Sequence, residues 1–106
     1  MNLTTVKIGA KGFKSYYLPI AEFLSKGRRI KIAALGKRVQ MATYLSSIIQ
    51  KHGARIDNIK ISTVELPEND RKTKKPIDVV MIEIFLSKGK FVSQIVNEVE
   101  NTGKNN

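Results

Sequence analysis

The chain has no cysteine in its 106 residues. This excludes disulfides and thiolate metal sites and is compatible with a reducing compartment. It has one histidine, His52, so no His/His or His/Cys cluster is available to a metal. No stretch approaches the roughly 18 consecutive apolar residues of a membrane-crossing helix, and no membrane partner is expected. The start, Met1-Asn2-Leu3-Thr4-Thr5, lacks the basic-then-apolar order of a secretory signal, so the expected location is intracellular. Acid is scarce in one half only. Residues 1–55 hold a single acid, Glu22, against eleven Lys/Arg, whereas residues 56–106 hold eight of each sign. The whole net charge of +10 therefore belongs to the first half.

Hydrophobic residues make up 42% and charged residues 26%, which fits one globular domain rather than a disordered chain. Within the basic half, Lys11, Lys14, Lys31, Lys37 and Arg38 lie in or beside two short turns. These are Gly9-Ala10-Lys11-Gly12-Phe13-Lys14 and Leu35-Gly36-Lys37-Arg38. Each turn follows a strand-like run and precedes a helix-like run. Backbone N–H groups at a helix start favour anions, and neighbouring lysines reinforce that preference. Two such junctions point to one anion-binding surface, for which nucleic acid is the natural long polyanion.

The pattern predicts the order β-α-β-α-β-β and a tail. Thr5–Ile8 alternates as a strand ended by Gly9. Tyr16, Ile20, Phe23 and Leu24 fall at helical spacing, with Ser15 as a cap and Lys26-Gly27 as a stop. Pro19 pushes the expected regular helix toward Leu18. Arg29–Leu35 reads as a strand with Ile30, Ile32 and Ala34 inward and Lys31 outward. Val39, Ala42, Leu45 and Ile49 form a helical stripe widened by Met41 and Ile48, and Gly53 is the expected cap beyond Lys51-His52. Arg55–Leu66 is a third strand, with a bulge or twist expected between Ile61 and Val64. Ile77–Ser87 is nearly continuously apolar, as for a strand covered on both faces. Between these strands, residues 67–76 carry Arg71, Lys72, Lys74 and Lys75 and no apolar residue between two prolines. A connection this long is usually functional or disordered. In the tail, residues 89–106, Phe91, Ile95 and Val99 recur every four residues, a spacing that fits a short amphipathic helix before a frayed end.

The element order, the turn Ile8-Gly9-Ala10-Lys11-Gly12, the segment Ile32-Ala33-Ala34-Leu35-Gly36-Lys37-Arg38 and the basic hairpin loop together resemble the Alba family, small basic DNA- and RNA-binding proteins of archaea and eukaryotes. The resemblance covers about residues 5–88. It implies an α+β fold, a mixed sheet with two helices packed on one face, working as a homodimer or as a heterodimer with a second Alba-like chain. It places the first turn and the start of the second helix on the nucleic-acid face and sends the hairpin loops along a minor groove. The implied contacts are Lys11, Lys14, Lys37, Arg38, Gly12, Gly36, Phe13, Arg71, Lys72, Lys74 and Lys75, with no cofactor. Where many members have a second turn lysine this chain has Ala10, and where some have an arginine before the second glycine it has Leu35. Location would be nucleus or cytoplasm in a eukaryote and chromatin-associated cytoplasm in an archaeon.

Each turn by itself is also an ordinary strand-to-helix connection with solvated lysines, and residues 71–75 alone read as a solvated loop. Tyr16 belongs to the expected core, while Phe13 and Tyr17 are the candidates for exposure and base stacking. His52 reads most simply as a cap at a helix C-terminus. Catalysis finds little support. Ser15, Ser46 and Ser47 have no evident base. Asp57, Asp70 and Asp78 are scattered. The Gly9-x-x-Gly12 turn lacks the Gly-Lys-Ser/Thr ending of a P-loop. The expectation is an architectural binder of DNA and/or RNA that is not an enzyme. The alternatives are an RNA-binding subunit of an RNase P/MRP-like or translational-repression ribonucleoprotein, a polybasic interaction module, and a lysine-dependent nuclease or lyase.

Overall fold

A computed structural model of the chain describes residues 3–67 and 76–93. It contains β1 (Leu3–Lys7), α1 (Phe13–Ser25), β2 (Arg29–Leu35), a 3-10 turn (Gly36–Arg38), α2 (Val39–Lys51), β3 (Arg55–Leu66) and β4 (Ile77–Ser87). The sheet order is β1-β2-β4-β3. β1 runs parallel to β2, and β4 lies antiparallel to both β2 and β3. This is the mixed sheet that the resemblance implies, with both helices on one face.

The alternation in β2 decides which face that is. Ile30, Ile32 and Ala34 are buried, and their cross-strand partners Leu86, Ile84 and Ile82 in β4 are buried with them. Tyr16, Tyr17, Ile20, Ala21 and Leu24 close over them from α1, and Ala42, Leu45 and Ile49 from α2. Each fully buried Ile or Leu contributes roughly 1.5–3 kcal/mol relative to exposure. The core also takes in Phe91, which is buried after β4. Lys90 N–H donates to the Gly53 carbonyl and Val92 N–H to the His52 carbonyl, both at 2.9 Å. Residues 91–93 are not helical, and Ile95 and Val99 lie outside the described residues.

Four local expectations are corrected, and a fifth, His52 as a helix cap, holds with a further contact. α1 starts at Phe13, with Gly12 rather than Ser15 as its N-cap, and runs through Pro19. Pro19 and Ser15 are both exposed, so the carbonyl that the proline cannot pair faces solvent. The register shift in β3 falls between Ile56 and Asn58; pairing is continuous from Asn58 to Leu66, and Val64 simply faces outward beside Val79. β4 is covered on one face only. Its outer side chains Val79, Met81 and Phe85 are half-buried by their cross-strand neighbours. Tyr17 is fully buried, because α1's apolar stripe is wide enough to include both tyrosines. His52 is the C-cap residue of α2, but its ring is buried and its Nδ1 lies 2.6 Å from the Tyr17 hydroxyl.

Candidate nucleic-acid interface

Because β1 and β2 are parallel, the chain leaves both at the same end of the sheet. Lys7 is level with Ala33, and the Ile8 N–H donates to the Ala33 carbonyl at 2.9 Å, carrying that register to the edge of the first turn. The first exit leads into α1 and the second, through Gly36–Arg38, into α2. The two basic turns, distant in sequence, are thereby placed side by side. Lys11, Lys37 and Arg38 line one cleft of about 270 Å³ together with Gly9, Gln40, Met41 and Tyr44.

The first turn is held from beneath. The Tyr16 hydroxyl accepts hydrogen bonds from the Gly9 N–H at 2.8 Å and the Lys11 N–H at 3.1 Å. The tyrosine ring is in the core, so its hydroxyl ties the backbone of a solvated turn to buried structure. The second turn requires its glycine. Gly36 has φ +55°, a conformation that costs a residue with a side chain roughly 1–2 kcal/mol. Gly12 has an ordinary extended φ of −77°, and nothing lies within 4 Å of where its Cβ would be, so the space above it is open.

Neither helix has an acidic residue in its first turn, and neither N-cap makes a side-chain hydrogen bond. The positive ends of both helix dipoles thus lie beside the basic turns without a nearby carboxylate on their own first turns. Lys11 and Lys37 are exposed and Arg38 is half-buried. Lys14 is exposed on the first turn of α1 and does not line the cleft. Phe13 is half-buried against the core, with its ring 5.5 Å from Tyr17 and 5.3 Å from Tyr44. Arg71, Lys72, Lys74 and Lys75 lie outside the described residues.

A search of solved structures finds Alba from Thermoplasma volcanium, with a TM-score of 0.69 and 25% identity over 79% of this chain and 99% of that one. The fold is that of the Alba family. A second Alba structure, ALBA1 from Trypanosoma brucei, has a TM-score of 0.64 at 17% identity, covering 95% of this chain and 80% of that one. No protein-family model matches the chain, and no curated protein matches its sequence. The architecture that brings Lys11 to Lys37 and Arg38 is therefore shared with that family.

Tyr44, Met41 and Gln40 were not anticipated in the cleft. Tyr44 is 55% exposed and offers an aromatic face there, the part the sequence suggested for Phe13 and Tyr17. The available signal was the spacing of Lys37, Gln40, Met41 and Tyr44, which continues one helical stripe from the second turn. Among the described residues no group of His, Asp or Glu is arranged to hold a metal ion.

Proposed function

We propose that this chain is an architectural nucleic-acid-binding protein of the Alba type, engaging DNA or RNA mainly through phosphates with little sequence preference. The observation that carries the proposal is the convergence of Lys11, Lys37 and Arg38 on one cleft beside two helix starts free of first-turn acid. Neutralising phosphates there releases condensed counterions. Lysine outnumbers arginine at these positions, which favours point-charge attraction over bidentate base recognition. Lys14 extends the basic face along α1, and Arg71, Lys72, Lys74 and Lys75 are assigned to an arm reaching into the neighbouring groove.

The working unit in this proposal is a dimer. α2 covers the sheet as far as β4, which leaves Ile59, Ile61 and Val80 on the helix side at 48%, 70% and 46% exposure. Exposed apolar residues clustered in this way suit burial against a second chain. Twofold pairing doubles a short basic face. The exposed ring of Tyr44 in the cleft also favours RNA with unpaired bases as a target, because a free base can stack where a paired one cannot.

The deciding experiment is titration of a short labelled duplex and a structured RNA with the wild type and with Lys11→Glu/Lys37→Glu. Each change removes an attraction and adds a repulsion, so binding should be nearly abolished on both ligands while the fold survives. Undiminished affinity in the folded variant would remove the cleft from the binding surface.

A further inference from the structure

The sheet face opposite the helices takes no part in the function proposed above. The register places Lys7, Lys31, Leu35, Lys60, Met81 and Phe85 together on it. We propose that this outer face binds a single strand of nucleic acid. Its bases would lie on Phe85 and on the apolar floor at Leu35 and Met81, and its phosphates would be reached by Lys7, Lys31 and Lys60. The proposal rests on the phosphate-binding cleft insofar as that cleft anchors the same strand.

Three observations lead there. A second cleft, of about 360 Å³, opens where β1 and β2 end; Ala33, Leu35 and Met81 are among its apolar lining, and Lys7 and Arg38 supply its cations. An apolar floor with a few placed charges is the usual make-up of a ligand site. Arg38 lines this cleft and the basic one, so the two adjoin at the end of the sheet. Farther along the same face, Phe85 lies between two ammonium groups, Lys31 Nζ at 6.0 Å and Lys60 Nζ at 5.5 Å from its centroid. Both are within cation–π range. A stacking base would displace these lysines from the ring, and the displaced ammonium groups would be placed to take the flanking phosphates.

The charge of the face selects the occupant. Glu83, paired with Lys31 at 3.1 Å, is the carboxylate opposing Lys7, Lys31 and Lys60. The track ends at Asp57, which accepts hydrogen bonds from Arg55 Nε at 3.1 Å and Ser87 Oγ at 3.2 Å. Desolvation works against the Asp57 anion, but the bonds from Ser87 and Arg55 hold its carboxyl below the ordinary value, so it stays negative. Paired bases stacked inside a duplex offer no free face to Phe85, whereas an unpaired strand does, and aromatic residues beside cations accept bases of any sequence.

The test compares Lys7→Gln/Lys60→Gln with wild type on oligo(U), oligo(dT) and a duplex of equal length. The expected result is an affinity loss of about tenfold on both single strands, with the salt slope reduced by about 0.7 per lysine, and a duplex affinity within about twofold of wild type. A loss below about twofold on the single strands, or an equal loss on the duplex, overturns the proposal. The chain has no tryptophan, so Phe85→Trp adds a single reporter. Its emission should be quenched by oligo(U) and not by duplex, and absence of quenching at saturation also overturns the proposal. Lys11→Glu/Lys37→Glu, measured in parallel, judges the central cleft separately. If that variant binds duplex normally, the phosphate-cleft reading fails, while the outer face is still decided by its own variants.

Discussion

Tyr16→Phe separates the turn that carries Lys11 from the core beneath it. The substitution removes one oxygen and leaves the buried ring in place, so no cavity is created. It deletes two hydrogen bonds, from the Gly9 N–H and the Lys11 N–H. A neutral hydrogen bond contributes about 0.5–1.5 kcal/mol. Both donors belong to exposed residues and regain water in part, so the lower half of that range applies. The expected destabilisation is about 1–2 kcal/mol, a fall in Tm of roughly 5–15 °C for a domain of this size. Hydrogen exchange should locate the effect. The Gly9 and Lys11 amides should lose protection, while those of β2 and β4 change only as far as global stability does. Duplex affinity should fall severalfold, because Lys11 is no longer held in place before binding. If Tm, the two amides and affinity all remain at wild-type values, the clamp has no energetic role and the turn is held by its backbone alone.

Other perturbations read other parts of the molecule. Phosphate-dominated binding by a dimer with 4–8 engaged charges predicts a log–log salt slope on duplex DNA of about −4 to −7, and a slope near zero contradicts it. Ile61→Asp should convert a dimer to folded monomer in sedimentation at micromolar concentrations, since the residue is 70% exposed and is not needed by the monomer core. At Gly53, φ is +107° and an added Cβ would meet the Lys90 carbonyl oxygen, so Gly53→Ala should cost at least about 2 kcal/mol in thermal unfolding and release Phe91. Replacing Arg71, Lys72, Lys74 and Lys75 with Ala should weaken binding partially, lower the salt slope by up to about one unit per contact and shorten the footprint on long DNA. An unchanged slope and footprint would leave those residues as a solvated loop.

The legible features were those set by local periodicity. β2 shows its inward residues in strict alternation, and the stripe Val39, Ala42, Leu45, Ile49 marks α2, which runs from Val39 to Lys51. The position of Gly53 just beyond the α2 C-cap was equally plain, because a positive φ after a helix selects glycine. What was hidden depends on partners. Tyr17 looked free to stack on a ligand because its hydrogen-bond partner, His52, is 35 residues away. β4 looked covered on both faces because apolar residues also serve on a bare face when cross-strand lysine stems shield them, as at Phe85. The β3 irregularity was sought between Ile61 and Val64, yet it sits at Asp57; there Ile56 and Ile59 face the helix side three residues apart, so the apolar phase also changes across it.

Tyr16 and Tyr17 divide two tasks between adjacent positions of one helix. The roughly 100° between successive helical residues turns their hydroxyls to different neighbours. Tyr16 reaches back to the first basic turn, and Tyr17 reaches across to His52 at the end of α2. The hydroxyl that steadies the turn is therefore part of the same buried layer that joins the two helices. Stability and site geometry are coupled through these tyrosines, whereas the exposed lysines contribute charge and little folding energy. Substitutions at Lys11 and Lys37 should change binding without changing Tm. A change at Tyr16 should alter both, in proportion to how far the turn is freed.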